Sequence, residues 1–403
     1  MKSINKPFNP YLKEFDLIYK YFHAPAAALL SNSYKDKKIS TTELGIGDDC
    51  ALLDIPPNNQ LAISTDTLVE GRHFFNKTDP ADIAYKAFMV SVSDLAAMGA
   101  NPKWLSLALT LPCLDEDWLS RFSSQLFLLL NAYDMTLVGG DTTKGPLTIT
   151  MVVKGTIEKH RALRRSSAKV NDDIYVSGEL GSSALGLQFI SKYLNQAEFS
   201  KNELRETFLK AYKPKFHLDS DIYSKNQLGE KLNKVKINKS IGNNSYLLFN
   251  KLSDMGFIGR YHFPEARVHL GRKLNTIAHS AIDISDGLAS DLSHLCYASQ
   301  LSANIELEKL PLNASFNSVF KTLYPIKTQT DAYLLALTGG DDYELIFTAP
   351  KKSRNNIALL AETLKLPITC IGEMSEQSER PTISYTFNKS KLKFDALGFD
   401  HFA

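Results

Sequence analysis

Leu44-Gly-Ile-Gly-Asp-Asp-Cys-Ala51, followed by Leu61-Ala-Ile-Ser-Thr-Asp66, is the stretch that decides how the first half of the chain folds. Its glycines permit a tight turn, and the apolar run at its centre predicts a buried strand that ends in Ser-Thr-Asp. Oxygen ligands of this type suit hard cations such as magnesium, which usually keep substrate phosphates as further ligands. The carboxylates offered here are Asp48, Asp49 and Asp66. The same aspartates could instead cap helices and make turns, and this stretch alone supports both interpretations equally.

The composition is that of an ordinary globular protein. A chain of 403 residues predicts two domains. Its net charge of +2 gives no indication of nucleic acid or a membrane surface as a partner. Its four cysteines form no CxxC pair, which favours a reducing cytoplasm over a zinc site or a disulfide framework. The first 21 residues lack the apolar core of a signal peptide, and no run approaches the roughly 20 apolar residues of a membrane span.

Strand and helix patterns alternate through the first half of the chain, which favours an α/β architecture. Asp79-Pro80 predicts a helix start, and Gly99 ends the helix near Met98. Asp94 then lies near the helix C-terminus, where a carboxylate opposes the helix dipole unless a cation offsets it. A second helix follows Asp115, and strands are predicted over 104–111, 135–138 and 147–153.

The second half begins after a basic segment that contains Arg161, Arg164 and Arg165. We predict an N-terminal domain over 1–160 and a C-terminal domain over 161–403. Lysine and asparagine dominate residues 214–259, which predicts a surface insertion. In the second domain, a strand ends at Asp283 and a helix follows Gly287, and another strand is predicted over 334–337 before Gly339-Gly340-Asp341.

The acidic residues cluster at predicted turns and strand ends. The clusters are Asp48/Asp49, Asp66, Asp94, Asp141 and Asp283/Asp286. Like charges repel unless cations lie between them, and Gly139-Gly140 can present backbone N–H groups to an anion. Magnesium, an anion nest and arginine together are typical of phosphoryl transfer. The Walker, protein-kinase and GxSxG motifs are absent from the sequence, so a nucleotide site here must be of another type.

A specific resemblance appears when these motifs are taken in order. They are Gly45-Ile-Gly-Asp-Asp-Cys-Ala51, Ser64-Thr-Asp-Thr-Leu-Val-Glu-Gly-Arg-His-Phe74, Ser93-Asp-Leu-Ala-Ala-Met-Gly-Ala100, Gly139-Gly-Asp-Thr-Thr-Lys-Gly145, Ile282-Asp-Ile-Ser-Asp-Gly-Leu288 and Gly339-Gly-Asp-Asp-Tyr-Glu-Leu345. Together they resemble the thiamine-monophosphate kinases of the aminoimidazole-ribonucleotide synthetase superfamily. The resemblance covers about residues 10–212 and 260–401.

The resemblance implies a two-domain α/β protein. Its N-terminal domain would dimerise through its sheet to give a homodimer, and its C-terminal domain would be α/β. The implied activity moves the γ-phosphoryl group of ATP directly onto thiamine phosphate, with magnesium as cofactor and neither nucleic acid nor membrane as partner. No strong general base is needed, because the attacking phosphate is already anionic.

The resemblance also assigns roles to individual residues. The implied magnesium ligands are Asp49, Ser64, Thr65, Asp66, Asp94, Asp141, Asp283 and Asp286, of which Asp66, Asp141 and Asp286 are counted as catalytic. The implied nucleotide contacts are Gly140, Asp141, Arg165 and Ser285. The implied substrate contacts are His73, Asp341 and Phe399.

The chain departs from its relatives at one assigned position. Relatives commonly have Gly-Gly-Glu where this chain has Gly339-Gly340-Asp341, and the shorter acid moves the carboxylate by about one C–C bond. Two rival functions stay open from the sequence: another ATP-dependent synthetase of the superfamily, and a non-enzymatic nucleotide- or cation-binding module.

Overall fold

The computed structural model describes residues 13–35, 41–76, 78–191, 256–377 and 379–392. The chain folds as two units. Unit 1 comprises residues 1–91 and 101–159, and unit 2 comprises residues 92–100 and 160–403. Phe399 lies outside the described residues, as does the predicted insertion at 214–259 except for its end. Within the described ranges, no helix combines the length and the apolar character needed to cross a membrane.

Unit 1 contains a four-stranded sheet and the helices of the N-terminal half. A separate two-stranded sheet is formed by β1 (Thr42–Leu44) and β2 (Leu52–Leu53). The strands of the four-stranded sheet are β3 (Asn59–Val69), β4 (Asn101–Leu111), β5 (Thr136–Lys144) and β6 (Thr148–Glu158). The helices are α1 (Lys13–Ile18), which continues through a π-helical turn (Tyr19–His23) into α2 (Ala24–Lys35), α3 (Pro80–Ala97), whose last turns belong to unit 2, and α4 (Glu116–Ala132). The sheet order is β3-β6-β4-β5, with β4 and β5 parallel and the other pairs antiparallel.

Alternation along the strands leaves one face of this sheet buried. In β6, Ile149, Met151 and Val153 are buried whereas the residues between them are partly exposed. The helices supply large buried side chains such as Phe88 and Phe122. The predicted start of the second helix is confirmed, because the Asp115 carboxylate accepts the N–H groups of Asp117 and Trp118.

Unit 2 is built on a seven-stranded sheet of order β13-β12-β9-β11-β7-β10-β8. The strands are β7 (Asp173–Ser177), β8 (Ser280–Asp283), β9 (Leu301–Glu306), β10 (Leu345–Ala349), β11 (Ile368–Glu376), β12 (Ile383–Phe387) and β13 (Ser390–Leu392). The helices are α5 (Ser182–Phe189), α6 (Phe257–His262), α7 (Val268–Leu274), α8 (Leu288–Ser299), α9 (Phe316–Leu323), α10 (Gln329–Thr338) and α11 (Arg354–Leu364). Three-residue 3₁₀ turns occur at Arg165–Ser167, Leu307–Lys309 and Lys351–Ser353.

Both faces of the unit 2 sheet are covered by apolar side chains. Every residue of β7, β8 and β10 is buried. Strands that are buried on both faces have mostly apolar sequences, without an alternation of apolar and polar residues. Ile174 and Val176 face a core that includes α8, whereas Tyr175 between them faces a core that includes α7 and α11. The mixed α/β architecture predicted from the sequence is confirmed.

One strand prediction in unit 2 is wrong. Residues 334–337 form the end of α10, which runs from Gln329 to Thr338. A capping box begins the helix, with the Thr328 side chain accepting the Asp331 N–H and the Asp331 carboxylate accepting the Thr328 N–H. A short apolar run does not distinguish a strand from a helix, and the capping residues that begin this helix lie outside the run.

Candidate active site

The Ser64-Thr65-Asp66 triplet lies in the middle of a strand rather than at its end. β3 extends to Val69 and pairs with β6 along its whole length, with Asp66 opposite Met151. The predicted strand end was therefore wrong by three residues, because Thr67, Leu68 and Val69 continue the β-type sequence. The triplet offers its oxygen atoms from a regular strand, which is a rigid support.

His73 follows β3 in a turn that fixes its imidazole. The Val69 N–H donates to Nδ1 at 3.0 Å, and the Lys86 ammonium donates to the His73 carbonyl oxygen at 3.1 Å. Lys86 is itself buried. Because Nδ1 acts as an acceptor, the neutral ring carries its proton on Nε2. The imidazole of the predicted substrate residue is thus held to the turn through its Nδ1 atom.

Gly139 and Gly140 lie inside β5, not in an anion-binding loop, so the predicted nest is wrong. The strand runs through both glycines to Lys144 and pairs with β4, with Gly140 opposite Leu107. A Cβ atom on Gly140 would lie 1.9 Å from the Leu107 carbonyl oxygen. Gly140 therefore serves the close approach of two strands. Asp141, the next residue, is exposed and lies opposite Ala108.

The unit 1 acids lie at opposite edges of the sheet. The cross-strand register runs from Asp66 through Met151 and Leu107 to Gly140, beside Asp141. Three strand spacings of ~4.8 Å separate the two edges by roughly 14 Å. Asp49 lies in an exposed loop after β1, and β1 contacts β5. One copy of this sheet therefore does not bring Asp66 and Asp141 to a common ion.

Unit 2 brings several predicted residues together where β8 ends. The Asp283 carboxylate accepts a hydrogen bond of 2.7 Å from the Ser93 hydroxyl, and both side chains are buried. Ser93 precedes Asp94 in the last turns of α3, and Gly99 at φ +72° follows the helix, as predicted. The helix end that carries Asp94 is thus tied to the strand end that carries Asp283.

The segment around Ser285 is joined to the segment around Asp341. The Asp341 N–H donates to the Ser285 carbonyl oxygen at 2.9 Å, and the Tyr343 N–H donates to the Ile284 carbonyl oxygen at 2.8 Å. A Cβ atom on Gly340 would lie 2.3 Å from the Ser285 oxygen, so glycine is needed for this approach. Ser285 and Asp286, the predicted nucleotide and metal residues, therefore lie beside Asp341, the predicted substrate residue.

Asp341 is held in an uncommon backbone conformation. Its φ is +67° and that of Tyr343 is +49°, in a region that side chains other than glycine rarely adopt. The Tyr343 hydroxyl lies 3.3 Å from Asp341 Oδ1 and donates to it. Strained residues of this kind cluster at ligand-binding segments. The carboxylate of Asp341, the predicted substrate residue, is thus oriented by a tyrosine two residues later.

Arg165 begins the 3₁₀ turn Arg165–Ser167. Its carbonyl oxygen accepts a hydrogen bond of 2.6 Å from the Ser299 hydroxyl at the end of α8. The turn also contacts β8. The exposed guanidinium of Arg165 is therefore carried on a backbone that is fixed to the strand and the helix flanking the Ser285 segment.

Two buried acids beside these segments were not identified from the sequence. Asp291 accepts the N–H groups of Ser285 and Asp286, and Glu344 accepts from the Ser177 hydroxyl at 2.6 Å and from Arg267 Nε at 2.6 Å. Burial, with Asp283 and Asp286 nearby, raises the pKa of the Asp291 carboxyl to about 8. The sequence signal that could have identified Asp291 is its position as an acid on an otherwise apolar helix face.

The donors in each unit suit magnesium that arrives with phosphate. Within the described ranges, no three histidine, cysteine, aspartate or glutamate side chains are placed to hold a metal ion together. Magnesium commonly takes one or two carboxylates and completes its octahedron with water and phosphate oxygens. The carboxylates and hydroxyls present fit such an ion. They do not form a cage that would hold magnesium without a phosphate ligand.

Comparisons with known proteins extend over nearly the whole chain. A family model described as AIR synthase related protein, N-terminal domain, matches residues 47–157. The thiamine-monophosphate kinase of Escherichia coli O157:H7 is 41% identical over 390 residues, which cover 97% of this chain and 98% of that protein. The crystal structure of thiamine-monophosphate kinase from Stenotrophomonas maltophilia K279a has a TM-score of 0.66 and 34% identity, covering 88% of this chain and 95% of that one. A structure described as AaThiL complexed with AMPPCP and TMP has a TM-score of 0.62 and 26% identity, covering 98% of this chain and 99% of that one.

Proposed function

The chain belongs to the thiamine-monophosphate kinase family, and we propose that it transfers the γ-phosphoryl group of ATP directly to thiamine phosphate at magnesium ions held by its acidic residues. The observation that carries this conclusion is 41% identity over 97% of the chain. The chain is therefore an ATP-dependent kinase that converts thiamine phosphate into thiamine diphosphate.

The proposed metal ligands are the oxygen donors that the two units present. They are Asp49, Ser64, Thr65, Asp66 and Asp141 in unit 1, and Asp94, Asp283 and Asp286 in unit 2. Bound magnesium would neutralise the charge of the phosphate groups. The chain's own contribution is to fix these oxygens on strands and short turns, as the Ser93–Asp283 hydrogen bond does.

The reaction needs positioning more than proton transfer. An anionic oxygen of thiamine phosphate forms a bond to the γ-phosphorus of ATP while the bond to the β,γ-bridging oxygen breaks, so ADP leaves with that electron pair. No proton has to be removed from the attacking oxygen. Arg165 and the Ser285 segment are proposed to hold the nucleotide, because guanidinium and hydroxyl groups bind phosphate oxygens. In-line alignment of two anions is the main difficulty that the site has to overcome.

The substrate side is proposed to consist of His73, Asp341 and Phe399. An imidazole such as that of His73 suits a phosphate or ring acceptor, and the Asp341 carboxylate, oriented by Tyr343, suits the cationic thiazolium ring of thiamine. Side chains of these kinds suit a substrate with a negative and a positive end.

A homodimer would complete the unit 1 site. In the described part of the chain β3 is an edge strand of eleven residues, and its Leu61 and Ile63 side chains are 40% and 58% exposed. Long apolar edges are normally covered in native proteins. If β3 of one copy lies beside β5 of its partner, the donors of β3 and those near Asp141 come onto neighbouring strands. The sheet register is the support for this proposal, because a single copy leaves these donors divided.

The cysteines support a reducing location. Cys50 and Cys113 are exposed free thiols, and Cys296 and Cys370 are also free. Exposed thiols persist in the cytoplasm, which is the location we propose.

The test is a product assay. The protein is mixed with magnesium, ATP and thiamine phosphate, and products are identified by mass spectrometry. Thiamine diphosphate and ADP in equal amounts, with ADP release dependent on thiamine phosphate, are expected. ADP release without that dependence, or a different product, would refute the proposal and favour another synthetase of the superfamily. Nucleotide binding without any product would favour a binding module.

The direct mechanism has its own test. ATP with a chirally labelled γ-phosphate should give thiamine diphosphate with inverted configuration at phosphorus, because one displacement inverts. Retention, or a phosphorylated enzyme that forms with ATP alone and passes its phosphoryl group on, would establish a covalent route.

A further inference from the structure

The turn between β8 and α8 has an unusual internal acceptor. Residues 284–287 connect Asp283 to Leu288, and Gly287, at φ +107°, stands at the N-cap position without a side chain to cap the helix. The Asp291 carboxylate turns back from the helix instead. Its Oδ2 accepts the N–H of Ser285 at 3.0 Å and the N–H of Asp286 at 3.1 Å.

Asp291 is buried at 3% exposure, so the carboxyl group that accepts these two hydrogen bonds has little contact with water. Backbone N–H groups that lose a buried acceptor leave their conformation unless another partner replaces it. The Asp291 N–H in turn donates to the Gly287 carbonyl oxygen at 3.0 Å. The carboxylate and its own backbone therefore hold the turn at both ends.

The same turn is fixed from its other side. The Ser285 carbonyl oxygen accepts the Asp341 N–H at 2.9 Å, so Ser285 lies between Asp291 at its N–H and Asp341 at its carbonyl. A shift of this turn would move Ser285, Asp286 and the Asp341 segment together. These residues are the proposed nucleotide, metal and substrate contacts.

We propose that Asp291 is a positioning residue, which fixes the Ser285-Asp286 turn for phosphoryl transfer through its two backbone hydrogen bonds and does not itself bind metal or substrate. This inference rests on the proposed function for its kinetic consequence, but the hydrogen bonds themselves do not depend on it. The rival role for Asp291 is that of a further metal ligand, which would require its negative charge.

Two substitutions separate these roles. Asp291→Asn keeps an oxygen in the same place, because only the amide oxygen can accept the two N–H groups, but its side chain cannot ionise. Asp291→Ala removes the acceptor as well. Asp331→Ala is the matched control, because the Asp331 carboxylate accepts the Thr328 N–H at 2.7 Å at the start of α10, at the opposite end of that helix from the Asp341 segment.

The first readout is amide hydrogen exchange in the peptide that contains Ser285 and Asp286, followed by mass spectrometry on the full chain. Asp291→Ala should exchange these amides about tenfold faster or more, and Asp291→Asn should retain the wild-type protection. This readout is independent of activity, so it decides the structural step even if the wild-type protein forms no thiamine diphosphate. Unchanged protection in Asp291→Ala would overturn the proposal.

The second readout is steady-state kinetics with ATP, thiamine phosphate and magnesium. Asp291→Ala should lower kcat by about 100-fold, since small misplacements of reacting groups have effects of this size. Asp291→Asn and Asp331→Ala should stay within about threefold of the wild type. If Asp291→Asn loses activity while its amides stay protected, the charge is required and the positioning role is wrong. Should Asp291→Ala fail to fold, the asparagine variant alone still gives this decision.

Discussion

Replacement of Gly140 by alanine should disturb both the sheet of unit 1 and the site at its edge. The added Cβ would lie 1.9 Å from the Leu107 carbonyl oxygen and 2.8 Å from its carbonyl carbon. Real Cβ atoms essentially never approach a neighbour more closely than 3.0 Å, so β4 and β5 must separate by at least 3.0 − 1.9 = 1.1 Å at this point. The obstacle is backbone, which has no rotamer to escape into. Overpacking of this kind costs about 1–3 kcal/mol of unfolding free energy.

The kinetic effect should exceed the stability effect. Asp141 follows Gly140 directly, so a shift of β5 by about an ångström displaces a proposed metal ligand, and misplacement on this scale can lower turnover about 100-fold. Gly139→Ala is the matched control, because its Cβ would meet nothing closer than the Ser106 hydroxyl at 4.0 Å. Urea unfolding and initial rates of thiamine diphosphate formation are measured for both variants. Equal unfolding midpoints and equal rates for the two alanine variants would refute this reasoning.

Three further predictions concern other parts of the chain. Asp66→Asn and Asp141→Asn should each nearly abolish turnover while circular dichroism shows an intact fold, and should raise the magnesium concentration needed for residual activity; wild-type turnover at ordinary magnesium would contradict their assignment. Replacement of residues 216–256 by a short Gly/Ser bridge should leave turnover within a few-fold, because this segment contains no family motif, and a folded but inactive deletion variant would give the segment a role in the site. Burial raises the pKa of Asp342 from 3.8 to about 8, so the stability that its protonated form contributes is fully present below about pH 4 and is lost as pH rises towards 8, at up to ~1.4 kcal/mol per pH unit. Asp342→Asn, which keeps an acceptor for the Gly181 N–H, should therefore remove about one proton from the pH dependence of urea unfolding between pH 5 and 8. An unchanged pH dependence would show that Asp342 is ionised in the folded state.

The sequence predicted regular elements well where one local signal decided them. The helix start at Pro80, its end before Gly99 and the strand end at Asp283 all follow from residues within one turn. Errors arose where a distant partner decides the conformation. The sequence Gly139-Gly140 predicts a loop, yet both glycines lie in β5, where β4 approaches closely on one side.

The candidate site shows the same division. Motifs predicted which residues belong to it, because acids and glycines in fixed order carry that information, and these assignments stay predictions. They did not indicate that Asp66 and Asp141 lie at opposite edges of one sheet, since strand order depends on pairing between distant segments. The motifs also gave no role to Asp291 or Ser93. Their roles follow from their contacts in the structure, those of Asp291 with backbone N–H groups and that of Ser93 with the Asp283 carboxylate.

The dispersal of the acids has a physical reason of its own. Two carboxylates 4 Å apart repel by about 4 kcal/mol at an effective dielectric constant of 20, so a preformed cluster of ligands would be strained or protonated before phosphate and magnesium arrive. This chain places its proposed ligands on separate strands and turns, and gives the buried one at Asp283 a hydroxyl donor at 2.7 Å. The phosphate groups of two substrates would then supply the remaining oxygens that bring the ions together. We expect such a site to bind magnesium weakly alone and tightly with nucleotide, because part of the coordination shell would belong to the substrate rather than to the protein.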